Sequence, residues 1–302
     1  MKVASFYRFL DLEEAATFRE ELQARCAEQK LLGTILVAPE GFNGSVTGDE
    51  KAIRALFSWI ENRLELGEPV EARWNEVSEP PFRRMRVRLK KEIVTLGRPD
   101  ILPHRKTGTY VSGEDWNRLI ADPDVLVIDT RNHYEYEVGT FPNAVDPETD
   151  SFREFPKFAE KLAETAKDRP LAMFCTGGIR CEKATALMLE LGFDEVYHLQ
   201  GGILKYLEDM PADANRWDGE CFVFDTRVAV DRDLAEGGYV QCHACRRPLS
   251  TEDLASPDYK EGVSCPKCVG ELDEERAERL EERARQVDLA RQRGDTHIGP
   301  KS

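Results

Sequence analysis

Residues 171–191 constrain the fold more than any other stretch of the chain. Four apolar residues, Leu171-Ala172-Met173-Phe174, lead into Cys175-Thr176-Gly177-Gly178-Ile179-Arg180-Cys181, and a helical pattern follows from Glu182 to Leu191. A short apolar run, a turn with two glycines and a helix start read as the strand–loop–helix step of a parallel sheet. The same alternation surrounds it, with strands expected at Val125–Asp129, Leu171–Phe174 and Glu195–Leu199 and a further helix at Ser151–Ala166. Ser112-Gly113-Glu114-Asp115 resembles a capping box opening a helix to Ala121, and Gly201-Gly202 marks another tight strand-to-helix turn. Residues 112–212 are therefore expected to form an α/β domain with helices on both faces of its sheet.

The loop also carries chemistry. Its glycines let consecutive backbone N–H groups point inward, and the helix start adds positive potential, so the pair favours an anionic sulfur. Arg180 and Lys183 push the same way. An inert buried thiol needs no such cradle, which makes Cys175 a catalytic candidate. Arg180 is the second, because its charge suits an anion on Cys175 or a nearby phosphate. Cys181 has two open readings, a resolving thiol for an oxidised or persulfidated Cys175 and a small core residue. Asp129 and Arg131 fall at the end of a buried strand, where a structural ion pair is the better reading than contact with substrate.

Residues 1–100 read as β-α-β-β-α-β, the order of a ferredoxin-like sandwich: strand Val3–Phe9, helix Leu12–Glu28, strands Gly33–Ala38 and Phe42–Thr47, helix Asp49–Leu64, then strands near Val70–Asn75 and Arg84–Leu89. Asp49 is a plausible N-cap. Pro39 to Gly44 is expected as a turn-rich loop in which Asn43 bonds a nucleobase and Phe42 stacks on one, against the plainer reading of a hairpin with a half-buried Phe. The chain has a net charge of −15, which alone argues against a nucleic-acid partner. Yet Arg83, Arg84, Arg86, Arg88, Lys90, Lys91, Arg98, Arg105 and Lys106 face only Glu92 and Asp100 within Arg83–Lys106, enough to bind phosphates. A charge-guarded edge strand explains the same run equally well. Pro99, Pro103 and Gly108 punctuate the linker that follows.

Residues 213–302 are polar and irregular and contain Cys242-His243-Ala244-Cys245 and Cys265-Pro266-Lys267-Cys268. Two CxxC pairs separated by 19 residues fit a zinc ribbon, with Cys242, Cys245, Cys265 and Cys268 as ligands of a closed structural ion. A redox dithiol is the alternative, and His243 is a spare ligand. Glu271 to Arg293 is a charged helical pattern, and Gly294 to Ser302 is expected as a mobile tail. Eight cysteines used in this way suit a reducing cytoplasm. No apolar run is long enough to span a membrane, so no membrane partner is expected. No dinucleotide phosphate fingerprint, haem-ligand motif or two-histidine iron site is evident among five histidines, so no organic cofactor is expected.

The middle domain resembles a rhodanese domain. Asp129-Thr130-Arg131, Glu135-Tyr136-Glu137-Val138-Gly139 and Asn143-Ala144 match that family's first signature, and Cys175 to Arg180 matches its active-site loop. Taken with Arg131 to Gly139 as a continuous string, Cys181-Glu182-Lys183-Ala184 and Glu40-Gly41-Phe42-Asn43, the chain resembles the rhodanese-domain tRNA uridine hydroxylases over roughly residues 1–295. The resemblance implies oxygen-dependent formation of 5-hydroxyuridine at the wobble position of a tRNA anticodon loop, with dioxygen as co-substrate, Cys175 essential and an electron donor yet to be identified. Two rivals stand beside it. A thiosulfate or persulfide sulfurtransferase would use a Cys175 persulfide, and an RNA-binding adaptor would use the fold only as scaffold.

Overall fold

The computed structural model describes residues 1–294, so the tail expected from Gly294 to Ser302 lies outside the described residues beyond Gly294. The chain divides into two compact units, residues 1–132 with 143–206 and residues 133–142 with 207 onward. The architecture is mixed α/β.

The first unit begins with β1 (Lys2–Phe9), α1 (Ala15–Glu28), β2 (Leu32–Ala38), β3 (Gly41–Gly48), α2 (Glu50–Arg63), β4 (Ala72–Glu76) and β5 (Met85–Leu89). The sheet order is β4-β1-β3-β2-β5, with β5 added parallel to β2 through the register Ile35 with Val87. Asp49 caps α2 by accepting from Lys51 N–H at 2.9 Å. Ile53, Leu56, Phe57 and Ile60 recur at helical spacing along one face of α2 and pack with Phe18 and Leu22 of α1 against Phe6, Ile35, Phe42 and Val46 of the sheet. A strand alternates its faces, so this one-sided core leaves the other face of the sheet for a different partner.

That partner is the parallel sheet's own layer. β6 (Thr109–Val111), α3 (Gly113–Leu119) and β7 (Leu126–Asp129) come next; α4 (His133–Tyr136) and β8 (Gly139–Thr140) belong to the second unit; then follow α5 (Phe155–Ala163), β9 (Leu171–Phe174), α6 (Ile179–Glu190), β10 (Val196–Leu199) and α7 (Gly202–Asp209). All pairings in the order β6-β10-β9-β7 are parallel. Ser112 accepts from Asp115 N–H at 3.3 Å, as the capping pattern predicts. The strand β6 has only three residues and gives no sequence signal of its own. The stretch read as a linker is packed rather than loose. Leu96 and Ile101 join the core formed by Ile128, Phe155, Met173 and Leu187. Ile179 packs with Phe9, Ala38 and Ile93, which brings the two sheets into one body.

In the second unit, β8 pairs with β11 (Asp218–Gly219), β12 (Cys221–Phe222) with β13 (Ala229–Val230), and β14 (Val240–Gln241) with β15 (Pro248–Leu249). Val138, Phe222, Val228 and Ala229 form a small core. α8 (Thr251–Ala255) carries a capping box from Ser250, and α9 (Glu274–Gln292) buries none of its residues. No helix among the described residues is long and apolar enough to cross a membrane.

Candidate active site and metal centre

Cys175 follows the last residue of β9 and is 1% exposed. Gly178 caps α6 at φ +98°, a backbone that favours glycine, and its N–H donates to Cys175 Sγ at 3.1 Å. The loop is fixed from behind by α7, whose Ile203 and Leu204 N–H groups donate to the carbonyls of Cys175 (2.9 Å) and Thr176 (3.1 Å). This approach requires Gly202, at φ +68°, because a Cβ there would lie 2.5 Å from the Cys175 carbonyl oxygen. Burial pushes the Cys175 thiol up, but the Cys181 thiol's hydrogen bond, the Arg180 guanidinium and the N–H groups of Cys181 and Gly178 outweigh it, and the pKa falls to about 6. Burial and the neighbouring sulfur push Cys181 well above the ordinary range. Of the two thiols, the loop amides and Arg180 thus favour the anion on Cys175.

The structure brings Cys175, Arg180 and Cys181 together. Arg180 is nearly buried, with Nη2 donating to Thr176 Oγ1 at 3.2 Å, so its charge is held against the loop. Asp129 and Arg131 form a bidentate pair with no exposure, the shorter bond 2.6 Å, which is the structural reading.

Other expectations require correction. Lys183 does not reach the loop. It is fully buried and points from α6 to Glu40 (2.5 Å) and Glu92 (2.7 Å). The turn after β2 is only Pro39-Glu40, and β3 already begins at Gly41, so Phe42 and Asn43 are strand residues. Phe42 has no exposure and fills the core, so it cannot stack on a base. Asn43 donates to the Ile93 carbonyl at 3.0 Å. Within the basic strip, Arg84, Arg88, Lys90 and Lys91 are exposed along and just past the edge strand β5, whereas Arg98 is bound to Asp100 and Arg105 to Asp11.

Sequence reasoning missed Tyr7 and Glu182. Tyr7 Oη donates to Glu182 Oε1 at 2.6 Å beside the loop. They are 175 residues apart, and a Tyr in a strand gives no functional signal.

Cys242, Cys245, Cys265 and Cys268 converge, with all four sulfur atoms within 4.8 Å of one another. A tetrahedral zinc with bonds of about 2.3 Å separates its sulfur ligands by about 3.8 Å. Cys245 and Cys265 are 3.8 Å apart and Cys265 and Cys268 3.5 Å, so the residues fit a metal ion. His243 is exposed and outside the group.

Residues 1–93 match the family model of the UPF0176 acylphosphatase like domain, and residues 112–209 match the rhodanese-like domain. Among solved structures, a rhodanese-like domain from Anabaena sp. is 17% identical, covers 36% of this chain and 78% of that one, and gives a TM-score of 0.30. The human single domain sulfurtransferase TSTD1 is 23% identical over 34% of this chain and 99% of its own, with a TM-score of 0.28. An acylphosphatase from Coxiella burnetii is 19% identical over 29% of this chain and 90% of its own, with a TM-score of 0.22. An acylphosphatase-like domain of this type followed by a rhodanese-like domain is the UPF0176 domain architecture, and the chain matches it.

Proposed function

We propose that this protein hydroxylates a wobble uridine of tRNA to 5-hydroxyuridine, with Cys175 as the reacting group. The observation that carries the reading is the Cys175 loop, in which the Gly178 N–H donates to the sulfur at 3.1 Å, within a domain architecture and motifs that resemble the tRNA uridine hydroxylases. A thiolate is the form that adds to electron-poor carbon. Addition of Cys175 Sγ to C6 of uracil gives an enolate whose C5 is nucleophilic toward dioxygen, and the loop amides and Arg180 steady the oxyanion. Once C5 carries the hydroxyl, loss of the C5 proton and expulsion of the Cys175 thiolate restore the C5–C6 double bond; overall, one oxygen atom enters the base and the other leaves as water, which takes two electrons and two protons from an external donor. A uridine in an anticodon loop is already unpaired, so presenting it costs less than extruding a base from duplex. The exposed basic residues around β5 supply the phosphate contacts.

A rhodanese loop with a low-pKa cysteine equally suits sulfur transfer through a Cys175 persulfide. Nucleoside mass analysis of tRNA from cells lacking the gene separates the two. Loss of a wobble uridine derivative one oxygen heavier than uridine supports hydroxylation. Loss of a sulfur-substituted nucleoside supports sulfur transfer, and an unchanged profile contradicts both.

A further inference from the structure

We propose that Tyr7, on β1 of the acylphosphatase-like domain, is a positioning residue of the Cys175 site, acting through Glu182 on the charge that the thiolate faces. The proposal rests on Cys175 being the reacting group. Two contacts and one position carry it. Tyr7 Oη donates to Glu182 Oε1 at 2.6 Å. A Cβ built on Gly178 would lie 2.8 Å from Tyr7 Oη, so the hydroxyl rests on the residue whose N–H holds Cys175 Sγ. Glu182 stands in the first turn of α6, directly after Cys181. The carboxylate and the thiolate thus share one helix N-terminus and repel each other across it.

The groups facing this pair come from three elements. α6 supplies Arg180, Cys181 and Glu182; β1 supplies Tyr7 and Arg8; β6 supplies the half-exposed Tyr110, whose hydroxyl also faces Glu182. Burial raises the Glu182 carboxyl, the two hydroxyls and Arg8 pull it back, and Cys175 pushes it up. The chemical sense lies in nucleophilicity. A cradle of amides and Arg180 alone drives a thiolate's pKa down, and attacking power falls with it, by a Brønsted slope of about 0.4–0.5. A neighbouring carboxylate opposes that fall. Because Tyr7 belongs to the other sheet, the reactivity of Cys175 depends on the docked acylphosphatase-like domain.

The test follows the rate of iodoacetamide alkylation at Cys175 against pH in the full-length protein, read by peptide mass. Glu182→Gln removes the repelling charge, so the inflection moves down by about one pH unit and the plateau rate falls about threefold. Tyr7→Phe leaves the charge with one donor fewer, so the inflection moves up by about half a unit. Tyr110→Phe, which removes the other hydroxyl, moves it the same way and serves if Tyr7→Phe does not fold. Profiles that superimpose on wild type, or shifts of one sign in all variants, overturn the proposal. A wild-type Cys175 that titrates near the ordinary thiol value of about 8.5 contradicts instead the reading of Cys175 as a reactive thiolate.

Discussion

Lys183 Nζ lies 2.5 Å from Glu40 Oε2, and both side chains are buried where α6 meets the turn after β2. Glu92 closes the group at 2.7 Å, and the remaining carboxylate oxygens accept from backbone N–H groups, Ile93 to Glu40 and Gly97 to Glu92. One buried cation thus faces two buried acids with their lone pairs satisfied, which fixes the helix behind the cysteine loop to the acylphosphatase-like domain.

Lys183→Met removes the only cation of that group and leaves two carboxyls without a charge partner, at a cost of about 3–5 kcal/mol in urea unfolding. Burial raises the Glu40 pKa above its ordinary value, ahead of the opposing pull of Lys183. The folded state therefore holds a proton longer than the unfolded one. The stability this adds is full below the ordinary carboxylate pKa and is lost as pH rises through the folded value. Relative to Glu40→Gln, wild type should lose unfolding free energy as pH rises across that window. Parallel slopes for the two proteins contradict the account.

Cys181→Ala removes the thiol that donates to Cys175, so the Cys175 inflection should rise above about 6 while the fold persists. Alkylation measured at pH 6 falls severalfold. An unmoved inflection would mean that Arg180 and the loop amides alone stabilise the thiolate.

The exposed residues of the basic strip give the third prediction. Changing Arg84, Arg88 and Lys90 together to Ala should weaken tRNA binding and lower the slope of log K against log salt by up to about three, with the alkylation of Cys175 unchanged. Wild-type affinity and slope would leave the strip as a charged edge strand.

Much of this was legible in the residues and some was not. The parallel sheet, the cradle around Cys175 and the CxxC pairs are local patterns, in which spacing alone fixes geometry. Asp49 and Ser112 cap helices because their side chains act on the next few residues. Lys183 misled because a basic residue one turn beyond a loop looks like part of it, whereas its rotation about α6 aims it at Glu40. Phe42 misled because a glycine-rich string reads as a loop, yet its glycines lie in β3. Tyr7 and Glu182 meet only through tertiary packing, which no local pattern records.

The four clustered cysteines should bind about one zinc per chain by elemental analysis. Cys245→Ser or chelation should loosen residues 240–272, seen as faster hydrogen exchange there, because the core beside the sulfurs is small: Leu249, flanked by Leu254 and Tyr259. Metal-free protein with that segment still protected contradicts the metal reading.

The most direct test of the central claim is the wobble-uridine nucleoside profile of cells whose only copy of the gene encodes Cys175→Ser, alongside tRNA binding by the purified variant. The account predicts that 5-hydroxyuridine and its derivatives disappear while tRNA affinity stays at the wild-type level. Hydroxylated uridine retained at wild-type amounts would contradict it.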